Sequence, residues 1–467
     1  MPSVIKHAGA LAQGRSKYLI SCGIFVLVLT LTGGASRADE FAQTIVRASA
    51  IAIIALAFLQ RSRRLSAGHD RFIIILMGAI TSLIGLQLVP LPPGVWLAMP
   101  GHDLYGVAAK VAQIAEPWRP INLVPDQGWD SLLSMLPIWA TLVIVLSLRA
   151  EERRITINAL VLISVLSATV GIMQMLLGRD SALYYYKVSS VGTPTGIFAN
   201  RNHQAVMLAA GMAASSVWGS RTSQSRPHFN GIKVGLSLSA FAALLLVLVA
   251  TGSRAGLLLG GIATLAALYF WRRGIIASGL LSGRTKHIFF PAAAAVAVGV
   301  AAIALAFNRG QSFERLASMG AGDDTRLGAL KPLWLMLKTF FPFGSGVGSF
   351  DPVYRRFERL DDLQVEYLNQ AHNDLAQVVI EAGLLGGLLA GAYVCWWVYQ
   401  TFRIWRSPSD HPDQLMARLG TIVTGMILLL SLTDYPLRTP LLASLAILAS
   451  VWMSPQRHKS NVTAANL

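Results

Sequence analysis

Three polar motifs carry the side chains able to do chemistry in this mostly apolar chain. The first is Gln370-Ala371-His372-Asn373-Asp374, which closes a charged stretch where an apolar run begins. A histidine can accept a proton near neutral pH, and Asn373 and Asp374 stand close enough in sequence to orient it or a substrate. The second is Thr251-Gly252-Ser253-Arg254, a tight turn between apolar runs whose small residues would let a bulky anionic group approach its one arginine. The third runs from Gly192 through Gly196, Phe198, Asn200, Arg201 and Asn202 to His203. There an arginine and two amides meet the start of a helix, where free N–H groups and the dipole favour an anion. Each motif also has a plainer reading: His372 as a solvated loop histidine, Arg254 as a snorkelling side chain, and an asparagine cap with Arg201 held at lipid headgroups. The residues alone leave both readings open.

Other patterns point away from metal and nucleotide chemistry. No histidine pair stands at i, i+4, no cysteines cluster, and Asp323-Asp324 and Asp361-Asp362 lack the spacing of a calcium loop. The Gly-rich run Pro342 to Phe350 lacks the Gly-Lys-Ser/Thr ending of a phosphate-binding loop, and reads as a tight link between two surface helices. Gly383 to Gly391 reads as close helix packing, with Glu381 just inside the span as a potential polar partner.

The elements that must position these motifs are membrane helices. The chain has 467 residues, 13% of them charged, against roughly 25% in ordinary soluble domains. Its mean hydropathy is +0.54. The net charge of +16 comes from short basic clusters between apolar runs, which excludes nucleic acid as a partner and fits the positive-inside pattern. Cys22 and Cys395 both fall in apolar runs and form no disulfide framework. Apolar windows predict an all-α, polytopic membrane protein with about twelve transmembrane helices, since a span needs roughly 20 apolar residues. They begin at Tyr18, Phe41, Phe72, Ser131, Ile155, Asn202, Ile232, Ala255, Ile288, Leu375, Met416 and Leu437, and are nearly charge-free, Arg47 and Glu381 being exceptions. The whole of 1–467 reads as one integral membrane domain. The first basic-then-apolar segment, ending in Ser36-Arg37-Ala38, reads as a retained helix rather than a cleaved signal peptide on span length.

Basic residues fall on alternate connections, which places that side and both termini in the cytoplasm. The large loop 308–374 is then extracytoplasmic. Trp334, Leu335, Phe340, Tyr354 and Phe357 recur in it at helix-like spacing, predicting amphipathic helices on the membrane surface, with Asp351 and Pro352 as the cap and first position of one of them.

Taken together, the motifs resemble the O-antigen ligase and polymerase superfamily of bacterial envelope glycan enzymes. The residues carrying the resemblance are Gly196 to His203, Thr251 to Arg254, Arg326 through Gly346, His372-Asn373-Asp374 with Glu381-Ala382-Gly383, and Asp434-Tyr435-Pro436-Leu437-Arg438. The resemblance implies a multi-pass protein of the bacterial inner membrane whose active site faces the periplasm. It further implies a glycosyltransferase that moves a glycan from undecaprenyl pyrophosphate to an acceptor hydroxyl on a glycan or lipid, as ligase or polymerase, with no metal, nucleotide sugar or other cofactor. In that chemistry Arg254 binds the departing pyrophosphate and His372 activates or orients the acceptor hydroxyl, with Arg201, Asn202, Arg326, Asn373 and Asp374 binding substrate. Related enzymes often carry an arginine ahead of the Gly-x-Phe element, where this chain has Thr193, Pro194 and Thr195; Arg201, Arg326 or Lys187 could supply the second anion-binding cation. The alternative class is a flippase or transporter for a lipid-linked glycan, for which paired broken helices and mid-membrane charges would be expected.

Overall fold

In the computed structural model, residues 2–37, 40–59, 70–186, 188–221, 227–277, 325–358, 368–409 and 411–454 are described. The chain opens with helices α1 (Pro2–Thr32), α2 (Phe41–Leu59) and α3 (Arg71–Leu86). A two-residue strand β1 (Pro90–Leu91) follows, then α4 (Pro93–Leu97), α5 (Asp103–Val111) and β2 (Arg119–Pro120), which pairs antiparallel with β1. Residues 91–128, rich in Pro and Trp, therefore hold a small folded unit, anchored by Trp96, which is buried and donates to the Pro120 carbonyl at 2.7 Å. Next come α6 (Pro125–Leu133), α7 (Met135–Ser147), α8 (Ala150–Arg153), α9 (Ile155–Leu177), α10 (Arg201–Ser220), α11 (Pro227–Ala250) and α12 (Arg254–Ala277). The last third holds α13 (Thr325–Phe340), α14 (Phe350–Tyr354), α15 (Asp374–Arg406), α16 (Pro412–Leu430), a 3-10 turn at Pro436–Arg438 and α17 (Pro440–Trp452).

Among the described residues eight helices are long and apolar enough to cross a membrane, and α3 and α17 are shorter apolar helices. The expected span Ile288 to Phe307 lies outside the described residues. α10 is the informative exception. It has the length of a span, yet Ala, Gly, Ser, His and Gln dominate it and it falls short of the hydropathy of the others. The reason is burial: α9, α11, α12 and α16 surround it, and nearly all its side chains are enclosed. A helix that never meets lipid needs no apolar exterior, and small residues let its neighbours approach closely. The outer helices show the converse, with only 22% of α2 buried against 72% of α16, and Ile51, Leu59, Leu162 and Leu246 facing outward.

The described parts of the large loop fold against the start of α15. Met336, Phe340, Phe350, Val353 and Tyr354 form one buried cluster with Ala371 and Ile380. The expected cap at Asp351 is displaced. Ser349 precedes the helix, and Asp351 lies in its first turn, bonded to Arg355 at 2.9 Å. The Gly-rich run is indeed a link between two helices, and it has a third partner that its sequence does not indicate. It lies along a break in α15, where Ser345 and Gly346 donate to the carbonyls of Ile380 and Glu381 and Leu384 donates to that of Pro342. The break is at Gly383, whose φ of 63° interrupts the helix. A side chain there would meet the Pro342 carbonyl oxygen at 2.1 Å, so this glycine serves backbone contact with the loop rather than helix packing.

Candidate active site

The polar motifs, far apart in sequence, converge at one end of the bundle. α10 begins there because Asn200 caps it, its side chain accepting from the Asn202 N–H at 2.8 Å. The loop before it is pinned by Gln174 of α9, whose amide accepts from the Gly196 N–H at 2.8 Å and donates to the Gly196 carbonyl at 2.9 Å. Gly196 has φ 59°, and a side chain there would meet the Ser167 carbonyl oxygen at 2.5 Å. α12 begins beside it. The Ser253 hydroxyl accepts from the Gly256 N–H at 2.9 Å and donates to Asn202 Oδ1 at 2.7 Å. α15 begins with Asn373 as its cap, accepting from the Ala376 N–H at 2.9 Å.

Asp434, in the turn after α16, ties these helix starts together. It is fully buried, and its Oδ2 accepts from Asn202 Nδ2 at 2.6 Å and Asn200 Nδ2 at 3.1 Å. Its Oδ1 accepts from the Tyr435 N–H at 2.9 Å and stands 3.4 Å from Nδ1 of His372. That last separation is longer than a full hydrogen bond. Burial opposes the charge on Asp434, but interaction with His372, the neighbouring His203 and the Asn202 amide outweighs it and holds the carboxyl well below the usual carboxylate range. His372 is partly exposed, lies edge-on to Tyr435 at 5.0 Å between ring centres, and has φ 48°. A left-handed backbone is uncommon outside glycine, though less so for His than for most residues. The arrangement is an imidazole open to solvent on one side and backed by an ionised carboxylate on the other. Such a group can take a proton from a hydroxyl and have the resulting positive charge stabilised.

A second ionic group adjoins it. Asp374, buried, accepts from the Ser431 hydroxyl at 2.9 Å and lies 3.7 Å from Arg438 Nε. Arg438 also donates to Glu381 Oε2 at 2.7 Å, and Glu381 Oε1 accepts from the Phe350 N–H and Gln377 Nε2. Desolvation works against the guanidinium charge, but Glu381 and Asp374 more than offset it, and the pKa of Arg438 is raised. Asp374 and Arg438 form part of the wall of a cavity of about 620 Å³, which also includes Gln370. His372, Asp434 and Arg254 are not in that wall.

The structure brings His372, Asn202, Asn373 and Asp374 into this region, with differing tasks. The Asn373 side chain is occupied by capping and by a bond to the Leu432 carbonyl, and Asp374 turns inward to Ser431 and Arg438. Arg254 is exposed on the residue after Ser253 and makes no ion pair among the described residues. Arg201 is half-buried at the first position of α10. Arg326 lies in the first turn of α13, and Lys187 lies outside the described residues. In the sequence, Asp434 and Arg438 stand out only as part of a motif, without roles. The available signal was an acid and an arginine in a short turn between two apolar runs, which is costly near lipid unless each is partnered.

These features define a polytopic helical membrane protein with a histidine–aspartate pair at the meeting point of several helix starts. The chain matches the family model described as O-antigen ligase (Wzy_C) over residues 239–391, and this match supports its place in the O-antigen ligase superfamily. The matched segment contains Arg254, Arg326, His372 and Glu381, while Asn202 and Asp434, the latter 3.4 Å from His372, lie on either side of it. No sequence among the curated proteins matches the chain. The family is one of membrane enzymes of the glycosyltransferase type, acting in the manner of an O-antigen ligase or polymerase.

Proposed function

We propose that the protein transfers a glycan from undecaprenyl pyrophosphate to a hydroxyl of a glycan or lipid acceptor at the periplasmic face of the bacterial inner membrane. The observation that carries the reading is the His372–Asp434 pair, set within a family match to O-antigen ligases. His372 takes the proton of the acceptor hydroxyl as its oxygen bonds to the anomeric carbon. The bond from that carbon to the pyrophosphate oxygen breaks, and its electron pair leaves with the pyrophosphate. Arg254, exposed at the start of α12, meets the negative charge that develops there, with Arg201 as the second cation. A single displacement of this kind inverts the anomeric configuration. The protein's own residues supply the proton acceptor and the charge stabilisation, and the reading requires no metal.

The test is transfer by purified protein in proteoliposomes, supplied with an undecaprenyl-pyrophosphate glycan and candidate acceptors. His372→Ala is expected to lower kcat by about 10²- to 10⁴-fold while its melting temperature stays near that of the parent. Product that lengthens on the carrier identifies a polymerase, and product on lipid A core identifies a ligase. Unchanged turnover in the folded variant removes His372 from the mechanism, and carrier movement across the bilayer without transfer replaces the enzyme reading by a flippase.

A further inference from the structure

A single displacement needs the proton acceptor and the leaving-group cation on opposite sides of one anomeric carbon, and a misplacement of about 1 Å can cost roughly 100-fold in rate. The two groups stand on different elements, His372 just before α15 and Arg254 at the start of α12. A run of hydrogen bonds joins those elements. The Ser253 hydroxyl, 1% exposed, donates to Asn202 Oδ1 at 2.7 Å. Asn202 Nδ2 donates to Asp434 Oδ2 at 2.6 Å, and the other oxygen of Asp434 faces His372 Nδ1 at 3.4 Å. The hydroxyl and the amide both donate in the direction of the carboxylate, an order in which each bond polarises the next. This order also fixes the amide. An ionised carboxylate only accepts, so the Asn202 nitrogen must face Asp434 and its oxygen the hydroxyl. Both polar atoms of that side chain are thereby engaged with protein. The far end of the run is held as firmly. Ser253 Oγ accepts from the Gly256 N–H at 2.9 Å, and the Ser253 N–H donates at 3.2 Å to Oγ1 of Thr251, which is fully buried. Just inside α12, a side chain on Gly256 would meet that of Ala205 in α10 at 2.5 Å, so the two helices close on each other next to the Asn202–Ser253 bond.

We propose that Ser253 and Asn202 are positioning residues that set the leaving-group cation Arg254 in register with the proton acceptor His372, by way of Asp434, and that neither touches substrate. The assignment rests on the glycosyltransferase reading above, and it moves Asn202 from the substrate-binding task implied by the family resemblance to the frame of the site. Arg254 directly follows Ser253, so a shift of the serine carries the guanidinium with it. A shift of Asp434 likewise reaches the imidazole.

The variants are Ser253→Ala, Asn202→Leu and the two combined, each assayed with the donor saturating and the acceptor varied, then the reverse. Ser253→Ala is expected to lower kcat about tenfold and Asn202→Leu about 10- to 100-fold, with both KM values within about twofold of the parent. The combined variant is expected to match Asn202→Leu alone, because Ser253 acts through the amide. In Asn202→Leu the Asp434 carboxylate loses one donor and turns more of its charge on the His372 imidazolium, with His203 the other titratable group close to it. The acid limb of kcat/KM is then expected to move to higher pH by about half a pH unit. A general loss of folded protein lowers kcat and leaves that limb in place. A rise in either KM, effects of the two substitutions that multiply, or an unmoved acid limb overturns the assignment. The parent separates the two hypotheses: if it transfers nothing, the transferase reading falls and the assignment with it, whereas transfer by the parent together with any of those three results rejects the assignment alone. Should Asn202→Leu fail to fold, Asn202→Ala, which removes the same bonds with less bulk, takes its place.

Discussion

His372 holds a left-handed backbone between Ala371, whose N–H is bound by Gln377, and Asn373, which caps α15. Such a conformation costs on the order of 1 kcal/mol and persists only where the surroundings enforce it. Asp434 provides the complement, and Asp434→Asn should lower kcat by about 100-fold or more while leaving acceptor KM near normal, because the amide keeps the shape and loses the charge behind the imidazole. Its folded pKa lies below that of the unfolded chain. Asp434 therefore adds stability at every pH above the ordinary aspartate value of about 3.9, and that contribution disappears only as the pH falls through the lower folded value. The melting-temperature gap between parent and Asp434→Asn should hold constant between about pH 6 and 8 and narrow below about pH 4. For Arg254, replacement by Ala should reduce kcat/KM by about 10²- to 10³-fold, with Lys restoring part of it, as expected of a cation that binds a leaving group with a planar fork. His372, Arg254 and Asn202 were legible as candidates because each polar residue borders an apolar run. The partnership of Asn202 and His372 through Asp434 was not, since Asn202 lies 232 positions from Asp434 and only folding places the three together.

At the level of elements, helix existence was readable from apolar runs, and the ends of α2 and α9 coincide with the expected ones. What the pattern could not show is where an apolar run is interrupted. α15 reads as continuous in sequence, yet breaks at Gly383 to accept the Pro342–Phe350 link. Gly383→Ala should lower the melting temperature measurably, by the strain of an alanine at φ 63° together with the clash at the Pro342 carbonyl. Arg438→Gln should be harsher, about 3 to 5 kcal/mol in denaturant unfolding, because it leaves Glu381 and Asp374 buried without their cation. Asp351 illustrates the limit of cap reading. Asp before Pro is a good start signal, but the preceding Ser349 and the burial of Phe350 draw the helix back to include it.

For the molecule as a whole, the two ends of the bundle differ in kind: one gathers His372, Asp434, Asp374 and Arg438, the other carries Arg153, Arg154, Arg406 and Arg418. In the proposed topology, which rests on the positive-inside rule, the second end is the cytoplasmic one. With Cys22 and Cys395 replaced by serine, Asn369→Cys should react with an impermeant maleimide in spheroplasts, and Ser409→Cys only after permeabilisation; the reverse pattern would invert the proposed topology. The enclosure of α10 carries a consequence for how the protein is made. A segment rich in Ala, Gly and Ser partitions only weakly from the insertion machinery into lipid on its own merits, each polar residue weighing against it. Its membrane residence must come from neighbours such as α9, α11 and α12, so its integration waits on the synthesis of helices that follow it. The arrangement makes biogenesis depend on order, and a chain truncated after α10 is predicted to leave that segment outside the bilayer.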